Sequence, residues 1–320
     1  MAKQGSDSPR AVVLGDLVVD VVLLPARTLR SGTDVAGRVA LRQGGSAATT
    51  ARVLASEAIA STLVTAVGGD GAGESLADYL RTRGVEVHAI PVRSGRAGRL
   101  GVLVEPSGER TFVADRGPIL RLHPRHLRAG WFRGAALLHL PAYSLLGERL
   151  AATALRATTL ARAAGARVSV DLASAGFLED FGARAVLDTV RRIAPDLLLA
   201  NDQEREAALG SGAGSPVDLL AFAPIVVLKE GRRGARARAA ACAGEVVAAV
   251  PPADVADSTG AGDAFDAGLL AAWLRAGAPV GGPGLERVLA RAMRAGHRAA
   301  RREVLGRRVE FAITELRPVP

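Results

Sequence analysis

Short apolar runs punctuate this chain at residues 11–14, 62–67, 136–140, 167–171, 197–200 and 225–228, with Ala- and Arg-rich stretches between them. Each run has the length of a strand, and the stretches near 145–165 and 181–193 are long enough for helices. The alternation predicts repeated βα units. Parallel strands joined through helices bury both faces of their sheet, so an α/β fold is the expected class. At 320 residues with 49% hydrophobic content the chain can bury a large core, as one big α/β domain with an appendage or as two domains. Residues 18–24 continue as strand around Asp20, and 84–85 begin another. The β runs 99–104 and 111–114 are joined by a Pro- and Gly-containing turn at 105–110.

Composition narrows the function classes. The net charge of +9 comes from arginine, since Lys3 and Lys229 are the only lysines, and the arginines are spread like a solvated surface. Aromatic content of 3% offers no base-stacking platform, so no nucleic-acid partner is expected. No run approaches the ~20 apolar residues of a membrane span, and residues 1–10 carry no apolar signal core. A cytoplasmic protein without a membrane partner is the expectation. The single cysteine, Cys242, excludes a disulfide framework and a cysteine metal cage and reads as a small core residue. His139 and Tyr143 also read first as core side chains, with substrate contact the alternative for Tyr143.

The stretch richest in chemistry is 257–263, Asp-Ser-Thr-Gly-Ala-Gly-Asp, followed by an apolar run in which Phe265, Leu269 and Trp273 recur every four residues. It predicts a buried helix with a glycine-lined first turn. Free N–H groups and about half a positive charge from the helix dipole suit that turn to a phosphate. Asp263 there is either a dipole-stabilised carboxylate or a group that takes a proton from an incoming hydroxyl. Neither lysine completes a Walker A sequence and no protein-kinase signature is present, so a phosphate cradle here is of another design. Asp16 and Asp20 interrupt the first apolar region near a strand's C-terminal end, where open α/β sheets bind ligands.

Residues 257–263 resemble the C-terminal signature of the ribokinase-like (PfkB) family of carbohydrate and nucleoside kinases, Asp-Thr-x-Gly-Ala-Gly-Asp, with Ser258 in place of Thr. Gly44-Gly45-Ser46 and a helix carrying Ala47, Ala51, Leu54 and Ala58 on one face resemble the N-terminal signature, with Thr49 at its Asn position. Residues 68–73 resemble a Gly-x-Asp-x-x-Gly turn and lack the third glycine of a dinucleotide fingerprint. Residues 201–204 resemble Asn-x-x-Glu, and Gly231 and Gly234 match Gly-x-x-Gly.

The resemblance implies one domain over 1–320, a three-layer α/β/α fold with a mainly parallel central sheet. A small β-sheet lid, built from about 18–41 and 97–117, would close over the substrate and serve a homodimer. It implies ATP-dependent transfer of the γ-phosphate to a hydroxyl of a sugar or sugar derivative of the ribose, fructose or keto-sugar-acid class. A nucleoside (adenosine-type) kinase is the alternative, and a catalytically weak sugar- or nucleotide-binding sensor is the alternative of another class. ATP and Mg²⁺ are the implied cofactors, with K⁺ a further candidate.

Asp263 would be the general base, with the N–H groups of Gly260, Ala261 and Gly262 holding the charge that develops on the γ-phosphate. Asp16, Asp20, Gly44, Gly45 and Thr49 fall to the acceptor, where a Thr hydroxyl replaces only part of what an amide offers. Asn201, Lys229, Gly231, Gly234 and His297 fall to the nucleotide, and Arg232 or Arg233 to a phosphate. Glu204 would reach Mg²⁺ through water. Asp257, with a segment around Gly306, would hold the monovalent cation, although Arg307, Arg308 and Glu310 stand where a carbonyl cage would be.

Overall fold

The apolar runs become strands of one sheet because their alternate side chains find helices on both faces. A computed structural model describes residues 8–105, 107, 110–210, 216–250, 257–306 and 309–311. Its first half contains β1 (Arg10–Leu14), β2 (Val18–Pro25), β3 (Gly37–Gly44), α1 (Ser46–Ser56), β4 (Ala60–Gly68), α2 (Ala72–Thr82), β5 (Val85–Val92), β6 (Gly98–Val104), β7 (Arg110–Asp115), β8 (Ala135–Pro141) and α3 (Gly147–Ala163). The second half contains β9 (Arg167–Asp171), α4 (Ala175–Phe181), α5 (Ala183–Ile193), β10 (Leu197–Asn201), α6 (Asp202–Leu209), β11 (Ile225–Lys229), β12 (Ala235–Ala239), β13 (Val246–Ala248), α7 (Ala261–Arg275) and α8 (Leu285–Leu305).

The large sheet has nine strands in the order β13-β12-β11-β10-β9-β8-β1-β4-β5. Strands from β11 to β5 are parallel, and β12 and β13 add an antiparallel edge. Val12 and Leu14 pack into a core with α3 and α5, whereas Ala11 and Val13 pack into one with α1, α7 and α8. That period-two division produces the three layers. A second sheet, in the order β3-β2-β6-β7, closes on its own small core of Val22, Ala40, Val102 and Val104. Its central pair β2/β6 is parallel, and β6/β7 is the antiparallel hairpin that the turn residues predict.

Strand order reverses at β1, which has β4 on one side and β8 on the other. Gly15 and Asp16 leave the sheet at this point, and crevices outside the carboxyl ends of such strands are where open sheets take ligands. α7 lies over that edge with Trp273 fully buried, its Nε1 donating to the Pro279 carbonyl at 3.0 Å.

Three details depart from the sequence reading. The helix expected near 181–193 is α5, and a short α4 that the sequence reading did not foresee precedes it, divided from it by Gly182 at φ 85°. Ala58 lies beyond the end of α1 at φ 56° and leaves the face it was assigned to. Cys242 is half-buried at the edge of the core rather than inside it. Pro106, Gly108 and Glu109 of the 105–110 turn, and Arg307 and Arg308, lie outside the described residues. No helix among the described residues is long and apolar enough to cross a membrane.

Candidate active site

The start of α7 needs a residue with positive φ, and Gly260 supplies it at φ 75°. Asp257 holds the turn before it: Oδ1 accepts from Thr259 N at 2.9 Å and from Thr259 Oγ1 at 2.6 Å. The Ala261 N–H donates to the Ser258 carbonyl at 3.1 Å. A phosphate cradle here therefore centres on Gly260 and Gly262 rather than on all three residues. Asp263 follows within the first turn, half-buried, with Oδ1 accepting from Ser46 Oγ at 2.5 Å. Burial pushes the Asp263 carboxyl up to about 8; Asp171 and Asp16 push the same way, while the Ser46 bond and Lys229 oppose it.

Ser46 is in place because Gly45, at φ 98°, lets α1 begin against the chain leaving β1; a Cβ there would stand 2.5 Å from the Asp16 carbonyl. Asp16 is buried, taking the Ala47 N–H on Oδ1 at 3.3 Å and Arg116 Nη1 on Oδ2 at 3.0 Å. The Arg116 guanidinium lies 3.5 Å from the centre of the Tyr143 ring. Asp20 is buried on β2, and a side chain at Gly44 would run into its carboxylate. Thr49 Oγ1 accepts from Gln43 Nε2 at 3.3 Å, and its methyl would lie 3.5 Å from a Cβ on Gly260. The acceptor-side residues expected from sequence thus gather around the start of α7.

A buried ionic cluster lies under the same turn. Lys229, at the end of β11, donates to Asp171 Oδ1 at 2.7 Å and to Asp266 Oδ2 at 3.1 Å. Burial works against its charge, but Asp171, Asp266 and Glu204 outweigh it and hold the amine well above its ordinary range. A Cβ on Gly262 would stand 3.7 Å from Lys229 Nζ, so the amine borders the glycine turn.

Glu204 and Asn201 form a reciprocal cap on α6. The Glu204 oxygens accept from Asn201 N at 2.8 Å and Nδ2 at 2.6 Å, while Glu204 N donates to Asn201 Oδ1 at 2.8 Å. Glu204 is 3% exposed, and burial together with Asp171 pushes its carboxyl up to about 7. Glu204 was expected to reach Mg²⁺ through water; here both of its oxygens accept hydrogen bonds from Asn201.

Gly231 (φ 56°) and Gly234 (φ 103°) shape the turn between β11 and β12, and Arg233 pairs with Asp202, beside Asn201. His297 is set apart: buried, its Nε2 within 3.2 Å of the Ala248 carbonyl and its ring edge-on to Phe265. Its expected contact is with the nucleotide; among the described residues its partners are the Ala248 carbonyl and the Phe265 ring. Asp257 Oδ2 faces Arg42 Nη1 at 3.0 Å. His139 is fully buried, pairs with Ser169 Oγ at 2.9 Å, and is pushed down to about 4 by burial, as a neutral core histidine should be.

A glycine-lined helix start with carboxylates beside it at a sheet switch point is an arrangement suited to moving a phosphoryl group onto a hydroxyl. The chain belongs to the pfkB family of carbohydrate kinases, whose model matches residues 8–307. It is 31% identical over 238 residues to an ATP-dependent ribose-1-phosphate kinase from Halopiger xanaduensis, covering 73% of this chain and 74% of the relative. A fructokinase from Klebsiella pneumoniae is 32% identical over 279 residues, covering 83% and 85%. The fold is shared with a protein described as a Ribokinase II from E. coli, solved in complex with ATP and Mg²⁺, at a TM-score of 0.75, 19% identity and 94% coverage of both chains.

Proposed function

We propose that this sugar kinase transfers the γ-phosphate of ATP to a hydroxyl of a ribose-, fructose- or keto-acid-type sugar derivative, with Asp263 as the general base. The observation that carries the reading is the place of the Asp263 carboxylate, in the first turn of α7 beside Gly260 and Gly262 and pinned through Oδ1 by Ser46. That pin leaves Oδ2 to take the proton of the attacking hydroxyl, whose oxygen then bonds to the γ-phosphorus as the bond to ADP breaks. The Gly260 and Gly262 N–H groups and the dipole of α7 hold the charge that builds on the phosphoryl oxygens. Lys229, bordering the same turn, adds a fixed positive charge. Asp16, Asp20 and Thr49, the last with Gln43, orient the acceptor, and the small sheet, as a lid, excludes water from it. The turn Gly231–Arg233 and the start of α6 follow the nucleotide. Exposed Val39, Phe112 and Val113 on the small sheet support a dimer contact there.

Among the described residues no three acidic, His or Cys side chains are set to hold a metal ion directly, so Mg²⁺ would be reached here through waters that it keeps. Asp171, Glu204 and Asp266 set three carboxylates against Lys229, and Asp266 Oδ1 is buried without a hydrogen-bond partner among the described residues. Oxygen donors beside a phosphate site are what Mg²⁺ takes, usually keeping several waters. Glu204, with Asn201, would hold those waters; when bound, the ion neutralises phosphate charge.

ATP consumption over a panel of sugars, sugar phosphates, sugar acids and nucleosides tests the reading, with turnover expected only when an acceptor is present. Asp263→Asn keeps the shape and loses the proton acceptor, so kcat should fall by ~10² to 10⁴ with Mg·ATP binding retained. A variant keeping more than about a tenth of wild-type kcat would remove Asp263 from the role. No turnover with any acceptor would favour a binding protein.

A further inference from the structure

The first carboxylate of the 257–263 stretch has a partner from the other sheet. Arg42 lies on β3, is 9% exposed, and reaches Asp257 Oδ2 with Nη1 at 3.0 Å and Glu310 Oε1 with Nη2 at 3.3 Å. Arg38, four residues back on the strand and so on the same face, meets the same Glu310 oxygen at 2.9 Å. The other Asp257 oxygen is the one that holds Thr259, the residue before Gly260. The Phe311 N–H donates to the Leu41 carbonyl at 2.8 Å, so the segment 309–311 lies against β3 as well. Three stretches far apart in sequence are tied around one guanidinium.

A monovalent ion at Asp257, implied by the family resemblance, does not fit these residues. Asp257 Oδ2 already faces the Arg42 guanidinium at 3.0 Å, and a soluble ion would be pressed against that positive charge. Each Asp257 oxygen has a job: one orders the turn and the other accepts the guanidinium.

We propose that Arg42 is the positioning residue for the turn that starts α7, an internal cation that sets this turn without an ion from solution. The proposal rests on reading the α7 turn as the phosphate cradle. It also links the two halves of the site, because β3 continues from Arg42 into Gln43 and Gly44, which stand against Thr49 and Asp20.

Wild-type protein and Arg42→Gln are compared in potassium chloride and in tetramethylammonium chloride at equal ionic strength. Two readouts are taken: amide hydrogen exchange over 257–264 and the Mg·ATP dissociation constant by calorimetry. Wild type should be the same in both salts. Arg42→Gln should exchange faster over that segment alone and bind Mg·ATP roughly 10- to 100-fold more weakly, the scale of a lost hydrogen bond to a charged group. Millimolar guanidinium, or Arg42→Lys, should restore part of the loss.

Tighter binding or stronger protection of wild type in potassium would overturn the proposal, as would an Arg42→Gln protein that behaves like wild type. If Arg42→Gln loses protection everywhere, Asp257→Asn takes its place, since it keeps an acceptor for Thr259; local loosening is again expected, and its absence sinks the idea. Should wild type bind no Mg·ATP, the phosphate reading falls, while exchange over 257–264 still decides what Arg42 does.

Discussion

Lys229 is the side chain whose loss should be felt most sharply. Burying Asp171 and Asp266 side by side is tolerable only with the amine between them, and removing one partner of a buried ion set typically costs about 3–5 kcal/mol. Lys229→Met should therefore fold with a much lower denaturation midpoint; a loss under about 1 kcal/mol would mean that the cluster is solvated. Thr49 makes a milder test. Thr49→Asn adds donors and an acceptor on the acceptor side, so the acceptor KM should change while the ATP KM holds, and equal change in both would move Thr49 out of the acceptor pocket. Asp263, Asp16, Lys229 and the 201–204 pair could be picked out in the sequence as candidates because each sits at a strand end or helix start in a recognisable spacing, and Asp20, inside β2, because it is an acid within an apolar run. Ser46, Asp171, Arg42 and Arg116 were not, because their partners lie 217, 58, 215 and 100 positions away. Asp266 did leave a signal: it follows Asp263 by three residues on a helix, which puts both carboxylates on one face.

At the scale of elements, α7 was the most legible part of the chain, since its apolar period and its glycines agree on one buried helix. Its packing against α8 was hidden, because it depends on glycines that resemble spacers in sequence. A Cβ on Gly268 would lie 2.6 Å from Ala299 Cβ, and one on Gly296 would lie 2.8 Å from both the Phe265 ring and its carbonyl. Backbone and a buried ring cannot step aside as a surface side chain can. Gly296→Ala should therefore cost about 1–3 kcal/mol and lower Tm by several degrees, as thermal melts would show; an unchanged Tm would mean that the two helices can separate freely. Helix α4 was missed for the opposite reason: at Ala175–Phe181 it is too short to show an apolar period before Gly182, at φ 85°, ends it.

For the whole molecule, the two-sheet architecture and the strand alternation could be read from the sequence, whereas the strand order that puts β1 at the switch point depends on long-range pairing that no local pattern encodes. The buried carboxyls give the whole fold a pH signature. Asp263 keeps its proton in the folded protein up to about 8, whereas an unfolded aspartate loses it near ~4. Its contribution to stability is therefore full at acid pH and drains away as pH rises toward about 8. Glu204 behaves likewise up to about 7, and His139 works in the opposite sense, losing its contribution as pH falls from ~6.5 toward about 4. Asp263→Asn removes the first of these alone, so the Tm advantage of the variant over wild type should widen as pH rises from about 5 to about 8 and then level off. A constant gap would mean that the Asp263 carboxyl is not held as described. The switch-point layout also has a consequence for descent. Asp16, Asp20, Gly44, Ser46, Thr49 and Arg116 all come from the first 116 residues, while Asp171, Asn201, Glu204, Lys229 and the α7 turn come from the remainder. On the proposed roles, a lineage could diverge in what it phosphorylates through changes near its N-terminus while inheriting the phosphate-handling half unaltered.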